Sequence, residues 1–129
     1  MDKSNTEQLT MVITDFLEIG HVDNIIAMFK QDHTCLTLTG ALIQDERFKV
    51  RMGMAVLFED LATALPKEVM SLAVPSLLKA MEHPAAYVRG DAAYLLMTIR
   101  SSEAMDALAR FQHDPDPQVA EIIREGLGW

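Results

Sequence analysis

Four histidines and one cysteine are the side chains of this chain best suited to chemistry. They are His21, His33, His83, His113 and Cys35. His33 and Cys35 lie two positions apart, a spacing that suits metal ligation. A zinc site wants about four ligands, however, and no further Cys or His lies close by in sequence. Cys35 sits among apolar neighbours, where a thiol behaves as a small hydrophobe rather than a nucleophile. His83 and His113 fall in turns one residue out of register, which allows them to approach each other. A turn histidine is ordinarily a polar turn residue. Arg47, Lys49 and Arg51 form a cationic cluster suited to an anion, but Asp45 and Glu46 beside it favour a solvated face. No glycine-rich phosphate loop is present, since Gly53 and Gly90 fall inside helical patterns. These residues argue against an enzyme, a metal site and a bound cofactor.

The elements that position them are helical. Leu, Ala and Met are frequent and aromatic residues make up 6% of the chain, which suits helix packing better than sheets. Half of the residues are hydrophobic, enough for a core. Sliding residues 74–99 forward by about 31 places Leu77 on Leu108, Pro84 on Pro115, Val88 on Val119 and Leu96 on Leu127, a repeat-sized period. Sliding the central helix, residues 87–99, back by about 38 places Val88-Arg89 on Val50-Arg51, Ala93 on Ala55, Leu95 on Leu57 and Ile99 on Leu61. Each copy carries apolar residues at i, i+4, i+7 and i+8, one stripe of a 3.6-residue period. The last copy reads Val119, Ile122, Ile123, Leu127, with Gly126 interrupting it.

The motifs are Val-Pro-Ser-Leu-Leu at 74–78, Tyr87-Val88-Arg89-Gly90-Asp91-Ala92-Ala93, and Asp114-Pro115-Asp116-Pro117-Gln118-Val119. They resemble the HEAT-repeat family, in particular its short phycobilisome-lyase-like form, over residues 44–127. The resemblance implies an all-α, right-handed α-solenoid of about eight helices in four antiparallel pairs. Residues 1–129 would form one domain, with 1–43 as diverged N-terminal helices and 44–129 as clearer repeats. In that family the Arg after the Val faces an Asp in the next repeat's turn. Arg89 thus has Asp114 as its partner. The partner position matching Arg51 is His83, so that rung is expected to be missing or weak. Ala120 stands where a third Arg would fall, as suits a terminal unit. The related di-iron deoxyhypusine hydroxylases use His-Glu pairs; here Glu82-His83 is reversed.

In chain order, Ser4, Asn5 and Thr6 offer caps for a first helix with Leu9, Ile13, Phe16 and Leu17 on one stripe. Gly20 ends it. Val22, Ile25, Ile26 and Phe29 mark a second helix. Residues 34–43 alternate like a strand, yet a lone strand has nothing to pair with, so a helix is expected. Asp45 opens the first good copy, which runs to Ala64. Residues 67–82 form a helix bent at Pro75. Pro84 starts the central helix, and Ser101 with Glu103 caps the next.

Net charge is −8, from 19 acidic and 11 basic residues. This argues against nucleic-acid binding and against an anionic membrane surface. The single cysteine and the absence of an apolar leader suggest a cytoplasmic protein. Half a turn from each core stripe lie Met52, Val56 and Glu59, then Gly90, Tyr94 and Met97, then Glu121 and Glu125. They form the expected inner surface. Methionine is adaptable and common where peptides bind. The expected function is a non-enzymatic scaffold or adaptor that binds another protein or peptide on this surface, which a basic amphipathic segment would fit. Homodimerisation is a further possibility, as is packing of Met52, Val56 and Met97 against flanking helices. The alternative implied by the resemblance is a lyase or cofactor-attachment chaperone. Fold does not fix function, and the repeat is the only shared part.

Overall fold

A computed structural model describes residues 3–128, and among these the chain is all-α with no strand. The elements are α1 (Lys3–Glu18), α2 (Val22–Gln31), a 3₁₀ segment (His33–Leu38), α3 (Thr39–Leu42), α4 (Phe48–Ala64), α5 (Lys67–Met70), a second 3₁₀ segment (Ser71–Ala73), α6 (Val74–Ala80), α7 (Ala86–Ile99), α8 (Ser102–Ala109) and α9 (Pro117–Leu127). None of the described helices is long and apolar enough to cross a membrane.

The three valine-led helices form a row, with α7 in contact with α4 on one side and α9 on the other. In α4 and α7 the buried residues follow the expected stripes, whereas in α9 Val119 and Ile123 are buried together with Ala120 and Gly126, and Ile122 and Leu127 are half-buried. In α4 the buried residues are Val50, Met54, Leu57, Phe58 and Leu61. In α7 they are Val88, Ala92, Ala93, Leu95, Leu96 and Ile99. A second row consists of α3, α6 and α8, with α6 touching both of the others and each member lying on its counterpart in the first row. Helix α7 therefore meets α4, α6, α8 and α9. Ala92 and Ala93 let so many neighbours approach closely. One buried cluster continues from Ile13 through Phe58 and Leu96 to Ile123.

Several boundaries differ from the sequence expectation, each for a local reason. The proposed caps Ser4 to Thr6 already lie inside α1. Residues 34–43 form a 3₁₀ segment followed by one α-turn, not a single helix. The cause is competition from hydroxyls: Thr37 donates to the Thr34 carbonyl and Thr39 to the Leu36 carbonyl, both at 2.7 Å. Asp32 caps the segment by accepting from the Thr34 N–H at 3.0 Å. The stretch 67–82 is interrupted rather than merely bent. Pro75 falls in the first turn of α6, where its missing N–H costs nothing, and the chain before it tightens into 3₁₀. Helix α4 starts at Phe48 rather than Asp45, and α7 at Ala86 rather than Pro84. Gly20 ends α1 with φ +89°, as glycine readily does. Gly126 does not interrupt α9 but is buried within it. Trp129 lies outside the described residues.

Ser101 holds the α7–α8 junction. Its hydroxyl accepts from the Ala104 N–H at 3.1 Å, as an N-cap, and from the Ser71 hydroxyl at 2.7 Å, all in a buried setting. Ser101→Ala is expected to cost about 1–2 kcal/mol, since it removes the cap and strands Ser71. Ser71→Ala leaves the cap intact and is expected to cost less than about 1 kcal/mol. Urea denaturation of the two variants checks this order.

Candidate functional site

The outer faces of α4, α7 and α9 border a groove of about 470 Å³. Helix α4 contributes Phe48, Arg51, Met52 and Ala55; α7 contributes Ala86, Tyr87, Gly90, Asp91 and Tyr94; α9 contributes Gln118, Val119 and Ile122. The floor is made of small residues. A methyl group added to Gly90 would rest 3.8 Å from Val119 and 3.9 Å from Ile122, in ordinary contact. The missing Gly90 side chain leaves room in the lining between Tyr87 and Tyr94 of the same helix. Phe48 is 66% exposed, Met52 51% and Tyr94 40%. Val56, one turn beyond Met52, is also exposed. Large apolar side chains left in water along one continuous face mark a contact surface, whereas scattered ones carry no meaning.

Polar bonds stiffen the groove. Arg51 donates to Asp91 at 2.6 Å and lies over the Tyr87 ring, 4.5 Å from its centre. The Tyr87 hydroxyl donates to the Gln44 carbonyl at 3.2 Å. Arg51 thus makes no bond to the turn residue His83, and pairs within the row of helices instead. Asp91 on the neighbouring helix replaces the turn residue His83, whose Nδ1 instead accepts the Ala85 N–H at 3.0 Å. The Tyr94 hydroxyl donates to Glu59, tying α7 to α4, and this bond together with burial raises the phenol's pKa. Asp116 caps α9 by accepting from the Gln118 and Val119 N–H groups at 2.9 and 3.1 Å.

Of the eight residues expected on the inner surface, Met52, Gly90 and Tyr94 line the groove. Val56 and Glu59 extend the same face of α4 beyond it. Glu121 and Glu125 are exposed on α9, displaced to the outer side of Gln118 and Ile122. Met97 is half-buried and packs against Gly126, so it braces α7 on α9. Phe48 was not among the eight, though continuing the Met52–Val56 row back by one turn reaches it. Tyr87 and Ile122 were also missed. Ile122 counts as core by periodicity, and it does pack against the buried cluster, but it is only half-buried because it also borders the groove.

The remaining chemistry-bearing residues are engaged elsewhere. Arg89 donates to Asp114 at 2.9 and 3.1 Å and to the His83 and Pro84 carbonyls, both at 2.9 Å. His83 and His113 border the same shallow pocket beside this pair. Arg47 binds Asp45 at 2.9 Å and Asp15 at 3.2 Å, and Arg51 binds Asp91, so two of the cluster's three cations are already paired. Cys35 is buried, and its desolvation, with Asp32 nearby, pushes the thiol pKa up and away from nucleophilic thiolate. Among the described residues no group of His, Cys, Asp or Glu side chains is arranged to hold a metal ion. Compared with models of protein families, with curated proteins and with solved structures, the chain matches none, so its groove and its stacked rows are what a functional reading has to stand on.

Proposed function

We propose that this chain is a non-catalytic, HEAT-like scaffold that holds a helical segment of another protein in the groove between α4, α7 and α9. The observation that carries it is the continuous exposed apolar face of Phe48, Met52, Val56 and Tyr94 on two adjacent helices. Support for the repeat comes from the two helix rows and from two cross-links, Arg51–Asp91 and Arg89–Asp114, which join successive units. Short repeats stacked this way form a right-handed solenoid of antiparallel helix pairs, whose inner helices offer an extended surface. A partner helix laid in such a groove is read through anchors at i, i+3 or i+4, and i+7.

The test is crosslinking in the source cells with a photoreactive side chain at Met52. The expected result is one or a few protein adducts at Met52 and none from an exposed position outside the groove, such as Leu72. Met52→Glu/Tyr94→Glu, with both changes at exposed positions, is expected to fold and to lose those partners by tenfold or more. Adducts that form equally from Leu72, or partners retained by the double variant, overturn the proposal. Light scattering on the same variants shows whether the captured chain is a second copy of this one.

A further inference from the structure

We infer that the segment received by the groove is a basic amphipathic helix of about three turns, with its lysines or arginines on the flank that lies along α9. This rests on the groove reading above and adds the charge, length and orientation of the occupant. The length follows from the exposed row on α4. From Phe48 to Glu59 is eleven residues, which at about 1.5 Å rise is roughly 16 Å, or three helical turns. An apolar anchor row of the same length runs i, i+4, i+7, i+11.

The sign follows from what the groove's charges are already doing. Arg51 is the one cation in its lining, and it is consumed by Asp91 and the Tyr87 ring. Asp116 lies at the α9 end of the lining with one oxygen used in capping. Beyond it, Glu121 and Glu125 stand exposed one turn apart on the outer lip of α9, and neither forms an ion pair among the described residues. On α4, by contrast, the exposed charge is the cation Lys49, which forms no ion pair among the described residues. The α9 lip therefore presents two unpaired carboxylates to the groove, with the helix's own cation, Arg124, turned further away from Gln118 and Ile122, and the α4 lip presents none. Two cations spaced i, i+4 on a partner helix match Glu121 and Glu125. Such rim charges steer encounter and set orientation more than they add affinity.

The experiment is a display selection of randomised helical peptides on the intact protein, followed by titration of the enriched clones. Enriched clones are expected to show an apolar i, i+4, i+7 row with Lys or Arg on one flank. Their affinity is expected to fall about 3- to 10-fold in Glu121→Gln/Glu125→Gln, two partly screened pairs being lost. It is also expected to weaken as salt rises from about 50 to about 300 mM, a range over which the screening length shortens. Clones with an apolar row but no basic bias, or unaffected by the Gln variant, overturn the inference while leaving the groove reading standing. Clones that bind Met52→Glu/Tyr94→Glu as well as wild type overturn both.

Discussion

Replacing Arg89 with Met is expected to destabilise the protein by about 3 kcal/mol at pH 7, because it leaves a buried carboxylate without its cation. The Asp114 side chain is 3% exposed and that of Arg89 13%. The guanidinium also satisfies the His83 and Pro84 carbonyls, so one side chain joins the turn before α7 to the turn before α9. Arg51→Met is the internal comparison. Arg51 and Asp91 are 25% and 30% exposed, so the same loss should cost only about 1 kcal/mol, part of it from the Tyr87 stacking. The pH dependence has a definite sign. Burial alone would raise the Asp114 carboxyl, but hydrogen bonds from Arg89 and the Asp116 N–H, with the Arg89 charge, bring it below the usual range. A carboxylate lowered in the folded state contributes stability above its unfolded pKa of about 4, and that contribution disappears as pH falls through the folded value. The gap between wild type and Arg89→Met should therefore be widest at pH 6–7 and should shrink at pH 3. Urea titrations at the two pH values decide this, and equal gaps at both would exclude the ion pair as the cause.

The contrast between these two arginines shows what the sequence discloses. The Arg89–Asp114 pair is legible because both residues sit at fixed places in a repeat, and the period brings one to the other. Arg51 obeys the same period, but its cognate position is His83, a side chain that caps its own turn instead. Asp91 takes over from within the adjacent helix, and no spacing rule points to a helix–helix neighbour of that kind. The groove was legible in part for a similar reason. Met52, Gly90 and Tyr94 follow from being half a turn from the core stripes, which is helix geometry. Ile122 was assigned to the core because a stripe does not reveal that α9 ends the row of described helices. Met97 lay on the right face but was drawn inward, because Gly126 across from it leaves a gap that a flexible thioether fills. Residues 33–42 were least legible. Their alternating threonines resemble a strand, and the hydroxyl back-bonds that make them 3₁₀ are visible only with the carbonyls in place.

Gly40→Ala is the substitution of smallest size with the largest expected cost, about 2–3 kcal/mol. In a helix interior, glycine to alanine ordinarily gains up to about 1 kcal/mol, so the expected sign is the reverse of the intrinsic one. The reason is where α3 crosses α6. A methyl group on Gly40 would lie 2.8 Å from the Ser76 carbonyl carbon and nearer still to its oxygen. That carbonyl is backbone, and Ser76 is further held by donating to the Ala73 carbonyl and accepting the Gly40 N–H at 3.0 Å. It cannot move without shifting α6 off α7. Gly126→Ala meets an obstacle nearly as close but of a softer kind, since its methyl group would fall 2.5 Å from Cγ of Met97, a side-chain atom. Met97 has other rotamers, and the helix-propensity gain of about 1 kcal/mol offsets most of the repacking, so this variant should be close to neutral. Equilibrium urea unfolding of both alanine variants gives the comparison. If Gly40→Ala proves as stable as wild type, the two helix rows are not packed at α3–α6 as closely as described, and the stack that shapes the groove loses its N-terminal contact.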